Sequence, residues 1–575
     1  MARLLTSCWM AAVLFAPAQA AFAQMNMAGH VMETQDETPP AELPPPRKMT
    51  GLGNAQMQIT ATAEAQMWFN QGLNLLYDFW DYESARAFEE SVRKDPKCAM
   101  CYWGLYEAES FYHSTAKDYA GQALAQAVAL KRHATKRERL YIEASAASHG
   151  LDMWRKLVRQ YPADTQAQIF LSRVVDYKEK LAILRSVLKN KPDDSAANHY
   201  YIHALESSEH PEEALHSAEI LASLAPGSGH MVHMPGHIFY RIGDYGRAEQ
   251  AFTASMQVDE RYMKEQGVQP DNDWNYVHNL MYAIANLTEE GKFKQANATS
   301  VKLTAARGKL ESTLYVYSTR DSIARLDPLL PVALRAGDWA RVIALLQASA
   351  PPAGRPNLIF LAQQLTTFAR GMQAIEERDL PTAEESSMRF DADLWRMSGQ
   401  SKAMRDMPAA PAPLGKAPKL QVMPDALLEP LMSSLSIMSL ELRASLLTPQ
   451  GKADEAKSLF QKAAQQEKAL GYREPPSYIR PVGETEGAAM MAVDDWTDAK
   501  TVFQQALLER PRSGFALYGI AIASEKSGDT NAAVKGYAAF IAEWKNADPD
   551  LAQLTHARSY LSEHPTGLNI QPRGR

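Results

Sequence analysis

The chain has 575 residues, of which 46% are hydrophobic and 22% charged, so it is globular and longer than one ordinary domain. Its formal net charge is −7 with both signs mixed along the chain, and no basic patch stands out, which argues against a nucleic-acid partner. Beyond the first residues no apolar run is long enough for a membrane span.

Met1–Ala23 reads as a signal peptide. Arg3 is its positive start, Cys8 to Phe15 its apolar core, and Ala18-Gln19-Ala20 and Ala21-Phe22-Ala23 offer small-x-small cleavage sites. The mature protein is therefore expected to be periplasmic or secreted. Residues 24–62 are expected to form a disordered Met/Pro-rich leader, with Pro39-Pro40 and Pro44-Pro45-Pro46 and little periodicity. Met25, Met27, His30 and Met32 within it suit copper, and are equally ordinary in a solvated leader.

From Ala63 apolar residues recur at helical spacing, without the alternation of strands. Trp68, Gly72, Phe88, Ser91 and Pro96 match one tetratricopeptide repeat, a unit of about 34 residues built from two antiparallel helices. Such units bury their faces only against neighbours and stack into a superhelix. The predicted fold is all-α, a tetratricopeptide-repeat-like helical-hairpin solenoid with a histidine-lined concave groove. Its repeat solenoid spans 63–308, followed by a helical region 309–403, an Ala/Pro-rich linker 404–424 and a C-terminal repeat region 425–575. Cys98 and Cys101 suit a local disulfide or two buried thiols, and the absence of a following histidine argues against covalent haem.

The chemistry lies between Asn198 and Asn279. Of 14 histidines, eight fall from His199 to His278. The turn Gly243-Asp244-Tyr245 with Ala248 and Phe252 times one repeat to start at Gly229, and the preceding one starts at Ser195. Groove-facing positions of the first helix then hold His199, His203 and Glu206 in one unit and His230, His233 and His237 in the next. A third unit near Val277 adds His278. Positions i, i+3, i+4 and i+7 share a helix face, and packed axes lie roughly 8–10 Å apart, so these side chains can meet at one ion. His210 and His216 fall outside the groove positions. Pro235 disfavours a helix interior, so the helix is expected to begin near Met234, with His230 and His233 on a loop. Residues 260–273 are expected to insert between two groove units as a lid.

Imidazoles with one carboxylate suit copper, zinc, iron or nickel, and disfavour calcium and magnesium. Met231 and Met234 favour copper slightly. Three or four histidines open to a groove would leave a position for a small-molecule substrate. Glu206 is a ligand, a partner orienting an imidazole, or a general base. Seven candidates exceed one tetrahedral site, so either two ions bind or some residues only support the ligands. Three functions follow: an exported metal-dependent enzyme, oxidative with copper or iron and hydrolytic with zinc; a periplasmic protein-interaction scaffold; or a metal-storage or delivery protein. The loop Glu474–Pro481, too proline-rich for a helix, is a connector or folds toward the groove.

The motifs Asn198-His-Tyr-Tyr-Ile-His203, Gly229-His-Met-Val-His-Met-Pro-Gly-His237, Tyr276-Val-His-Asn279 and Glu474-Pro-Pro-Ser-Tyr478 resemble those of a group of exported bacterial tetratricopeptide-repeat proteins. The resemblance reaches Pro511-Arg-Ser-Gly-Phe-Ala-Leu517 and covers most of the mature chain. It implies the all-helical repeat fold and supplies no activity.

Overall fold

Helix starts are written in local chemistry. Asp194, Ser228 and Asp273 each accept a hydrogen bond from the backbone N–H three residues on, opening helices Ser195–Glu206, Gly229–Arg241 and Trp274–Glu289. Gly243 and Gly291, with φ of 77° and 70°, turn the chain into the paired second helices Tyr245–Gln266 and Phe293–Ala306. Within a pair, a small residue lets a partner ring approach. A Cβ added at Gly236 would lie 2.4 Å from the Phe252 ring, and one at Gly72 would lie 2.9 Å from Phe88.

A computed structural model describes residues 39–112, 118–147, 149–307, 319–349, 351, 356–405 and 429–565. The expected signal peptide 1–23, the leader residues Met25, Met27, His30 and Met32, and all but the first two residues of the 404–424 linker lie outside the described residues. Among the described residues there are α-helices and short 3-10 turns but no strand, and successive helices pack in pairs. The fold is an all-α tetratricopeptide-repeat-like solenoid.

Three local expectations are corrected. The helix Gly229–Arg241 runs through Pro235 rather than starting near Met234. Every residue from Gly229 to Tyr240 is buried, and that packing outweighs the lost backbone bond, which costs about 3 kcal/mol in a helix interior. Residues 260–266 continue the helix Tyr245–Gln266 and form no lid. Tyr262 there packs on Trp80 at 4.5 Å and donates to Glu83 at 2.6 Å. Residues 39–62 of the leader are bound rather than free. Ala55, Met57 and Ile59 alternate into the core, and Ala55 exchanges both backbone hydrogen bonds with the Asn74 amide, at 3.0 and 2.9 Å. Further bonds tie Asn54 to Ser195 and Gly51 to Gly227, so this segment crosses the starting ends of successive repeats.

The first hairpin, Ala63–Tyr77 and Asp81–Lys94, fills the hollow between later repeats. Tyr77 packs against Phe170 and Tyr200, and Trp68, Leu75 and Trp80 share one core cluster with Tyr276, Leu280 and Ile284. Cys98 and Cys101, both buried, form a disulfide. The C-terminal half docks through Arg335, whose guanidinium donates to Glu289 at 2.8 and 2.9 Å and to Glu484 at 2.6 and 3.0 Å.

That half also carries buried carboxyls. The Tyr478 hydroxyl donates to Glu441, whose carboxyl burial pushes up to about 8, and burial pushes Glu467 up to about 7. A carboxyl raised above its unfolded value stabilises the fold fully below that value and loses the contribution as pH rises through the folded value. The melting temperature is therefore expected to fall from pH 7 to 9, and Glu441→Gln to reduce the fall. A wild-type melting temperature that stays flat over that window would count against these assignments.

Candidate metal centre

Three helices aim their imidazoles at one buried volume. Ser195–Glu206 supplies His199, His203 and Glu206; Gly229–Arg241 supplies His230, His233 and His237; Trp274–Glu289 supplies His278. All seven are buried, and His278 is the most exposed at 9%. The rings sort into two triads, His199–His203–His230 and His233–His237–His278, and in each the possible donor atoms lie within 4.8 Å of one another. The triads adjoin, with ring centroids 6.1 Å apart for His230 and His233 and 6.4 Å for His203 and His237.

The outward faces of the rings are fixed. The His199 Nδ1–H donates to the Tyr77 carbonyl oxygen at 2.6 Å. Asn275 turns its Oδ1 toward His230 Nδ1 at 3.3 Å because its Nδ2 donates to Asp259 at 2.8 Å and to Ser255 at 3.3 Å. Asn279 offers Oδ1 to His233 Nδ1 at 2.7 Å because its Nδ2 donates to the Phe252 carbonyl at 2.8 Å. These acceptors set the Nδ1–H tautomer and leave each Nε2 as a lone pair. Glu206 spans the triads, with Oε1 2.7 Å from His203 Nδ1 and Oε2 2.5 Å from His237 Nδ1.

The inward nitrogens crowd. His203 and His230 bring Nε2 atoms to 3.4 Å, and His233 and His237 to 2.6 Å. With Glu206 ionised, lone pairs face one another across both gaps, so a proton or a metal ion belongs between them. Imidazole nitrogens about 2.0–2.1 Å from a tetrahedral ion stand about 3.3–3.4 Å apart, which matches the first gap. Burial, then the neighbouring imidazoles, holds His237 well below its usual value, and burial lowers His203 to about 3. These two rings are thus neutral near pH 7, the state that ligates. Burial pushes Glu206 up to about 8, and burial followed by Glu206 itself raises Glu474. A bound cation would reverse both shifts. These histidine clusters can hold metal.

Two expectations about the surroundings are corrected. The site does not open into a free groove. The Phe79 ring covers one side, with centroids 4.6, 5.1 and 5.5 Å from His199, His203 and His230. Tyr472 and Glu474 cover the other. The Tyr472 hydroxyl lies 3.4 Å from Glu206 Oε2 and 3.2 Å from the Tyr282 hydroxyl, and Glu474 Oε2 lies 3.5 Å from His278 Nε2. Met231 and Met234 pack into the apolar core, so they give no support for copper. Three tyrosines near the histidines in sequence are engaged away from the triads. Tyr200 packs on Tyr77 and Phe79, Tyr201 accepts from Arg185, and Tyr276 donates to Glu260. His210 and His216 are exposed.

Five contributors escaped the sequence reading: Phe79, Asn275, Asn279, Tyr472 and Glu474. Asn275 and Asn279 carried a usable signal, flanking His278 at i−3 and i+1 on one helix. The proline-rich loop hinted at Glu474. Nothing local pointed to Phe79.

No protein-family model matches the chain, and no curated protein matches it. Its similarity to solved structures is at the level of helical winding. The crystal structure of yeast Tom70 is 12% identical over 87% of this chain and 96% of that one, with a TM-score of 0.27. Cut9 of the Cut9–Hcn1 assembly of the APC/C is 12% identical over 74% and 84%, with a TM-score of 0.24. The tetratricopeptide-repeat domain of P58(IPK) is 11% identical over 88% and 100%, with a TM-score of 0.19. Likeness at this level transfers no ligand, partner or activity.

Proposed function

We propose that the six histidines hold two transition-metal ions, one per triad, and that the pair is the working centre of an exported metal-dependent oxidoreductase acting on a small molecule. The observation that carries this reading is that five of the six imidazoles have Nδ1 tied outward while the possible donor atoms of each triad gather within 4.8 Å. Metal-ligating histidines commonly have their other nitrogen held this way. An imidazole-only donor set favours copper, the strongest binder of the divalent series, over iron sites that include a carboxylate. Glu206 orients one imidazole of each triad, rather than serving as ligand or base. When bound, a redox-active pair supplies two one-electron carriers side by side. Zinc in the same triads would favour hydrolysis instead.

Export is supported by the signal-like start and by the Cys98–Cys101 disulfide, a bond that persists in oxidising compartments. A peptide-binding scaffold is disfavoured because the chain's own first hairpin packs against the later histidine-bearing helices, the surface a partner would use. Storage or delivery is disfavoured by the burial of every ligand.

Elemental analysis of protein recovered after native export, and of apoprotein reconstituted with copper, zinc or iron, is expected to find two ions per chain, with copper retained most strongly. Wild type that holds no stoichiometric transition metal under any of these conditions would return the protein to the scaffold reading.

A further inference from the structure

The two triads differ in what closes them. Phe79 sits in the turn between the helices Ala63–Tyr77 and Asp81–Lys94, with a φ of 60°. A bulky residue in the left-handed region is strained and persists only where its surroundings demand it. Here the strained turn lays the ring across all three imidazoles of the first triad. It is anchored on both sides: the neighbouring Tyr77 carbonyl accepts from His199, and Trp80 packs on Tyr262. His199, His203, His230 and Phe79 are each at most 5% exposed.

The second triad has a polar edge. Its His278 is the most exposed of the six histidines, and the neighbouring Glu474 side chain is 23% exposed. Glu474 Oε2 faces His278 Nε2 at 3.5 Å and His237 Nδ1 at 3.9 Å, and through Glu206, to which it is hydrogen-bonded, its carboxylate also comes within 4.8 Å of a nitrogen of His203. Glu474 and Tyr472 sit on the segment after helix Ala453–Ala469 and meet the site through Tyr282, Glu206 and His237 for Tyr472, with the Arg241 guanidinium over its ring, and through Glu206 for Glu474.

We infer that the triads are unequal: His199–His203–His230, sealed by Phe79, retains its ion, whereas His233–His237–His278 exchanges its ion and receives the small-molecule ligand past Glu474. The carboxylate at the entrance selects a ligand bearing an O–H or N–H that can donate to it. This inference rests on the two-ion reading above.

The test is release of metal from copper-loaded protein into excess EDTA, followed by the copper that leaves. Wild type is expected to release its copper in two phases of equal amplitude. Glu474→Ala should quicken the fast phase by about 10–100-fold, the range for changes that support a metal ligand, and the slow phase by much less, because Glu474 reaches the first triad only beside Glu206 and His203. Phe79→Gly should quicken the slow phase alone. Glycine accepts a φ near +60°, so this variant removes the ring together with the strain, and unchanged circular dichroism with an unchanged fast phase separates loss of the cover from loss of the fold. A single release phase in wild type, or a Glu474→Ala change that moves both phases equally, overturns the inequality while the two-ion centre stands. Wild type that takes up no copper overturns the two-ion centre itself.

Discussion

His203→Ala is expected to lower the metal content from two ions to one, and His237→Ala to do the same at the other triad, with helical circular dichroism preserved in both. Each substitution removes one of three nitrogens, a greater loss than the roughly 10–100-fold in affinity that follows from disturbing a group behind a ligand. Glu206→Gln should behave differently. Its oxygens face one imidazole in each triad, at 2.7 and 2.5 Å. An amide presents an N–H₂ to one of those Nδ1–H groups in place of an acceptor, so both sites should weaken together while both ions still bind at saturating metal. Metal titration with elemental analysis separates the cases. If Glu206→Gln removed one ion outright and left the other at wild-type affinity, Glu206 would be a ligand, and the orienting role assigned to it would be abandoned.

Arg335→Ala should be among the most destabilising single changes in the chain. The guanidinium is 1% exposed and lies between Glu289 and Glu484, which are equally enclosed, with Ser513 against both carboxylates. Burial disfavours every charge here, yet Arg335 holds Glu289 below its usual value. Removing the cation leaves two buried carboxylates with Arg510 as the remaining compensating charge for Glu289, and breaking a buried pair costs about 3–5 kcal/mol. Replacing all three partners, Arg335→Met with Glu289→Gln and Glu484→Gln, should recover much of that loss, because desolvation of the charges disappears with them. Denaturant unfolding followed by circular dichroism checks both. An Arg335→Ala midpoint equal to wild type would show that the two halves are held together by something else. The same variant should expose the histidines, since Tyr472 and Glu474 reach the site from the half that Arg335 docks.

What the amino-acid sequence determined by itself is local. The helical period, the Asp and Ser caps, the glycine turns and the small residue opposite Phe252 are interactions within one or two repeats. Those interactions also set the register that puts His199 and His203, or His230, His233 and His237, on one face of a helix. The alternating burial of Ala55, Met57 and Ile59 was legible in principle as a period of two, but the prolines around it obscured the pattern. Sorting the histidines into triads was a different matter. It depends on how far each helix is rotated against the next, and on contacts such as His199 to Tyr77, 122 residues apart, and Tyr472 to Glu206, 266 apart. The tertiary structure alone decided that Phe79 and Glu474 close the site, because the solenoid's curvature returns the first hairpin and a distant loop to the same hollow. Periodicity reports which face of a helix is buried; superhelical curvature chooses what buries it.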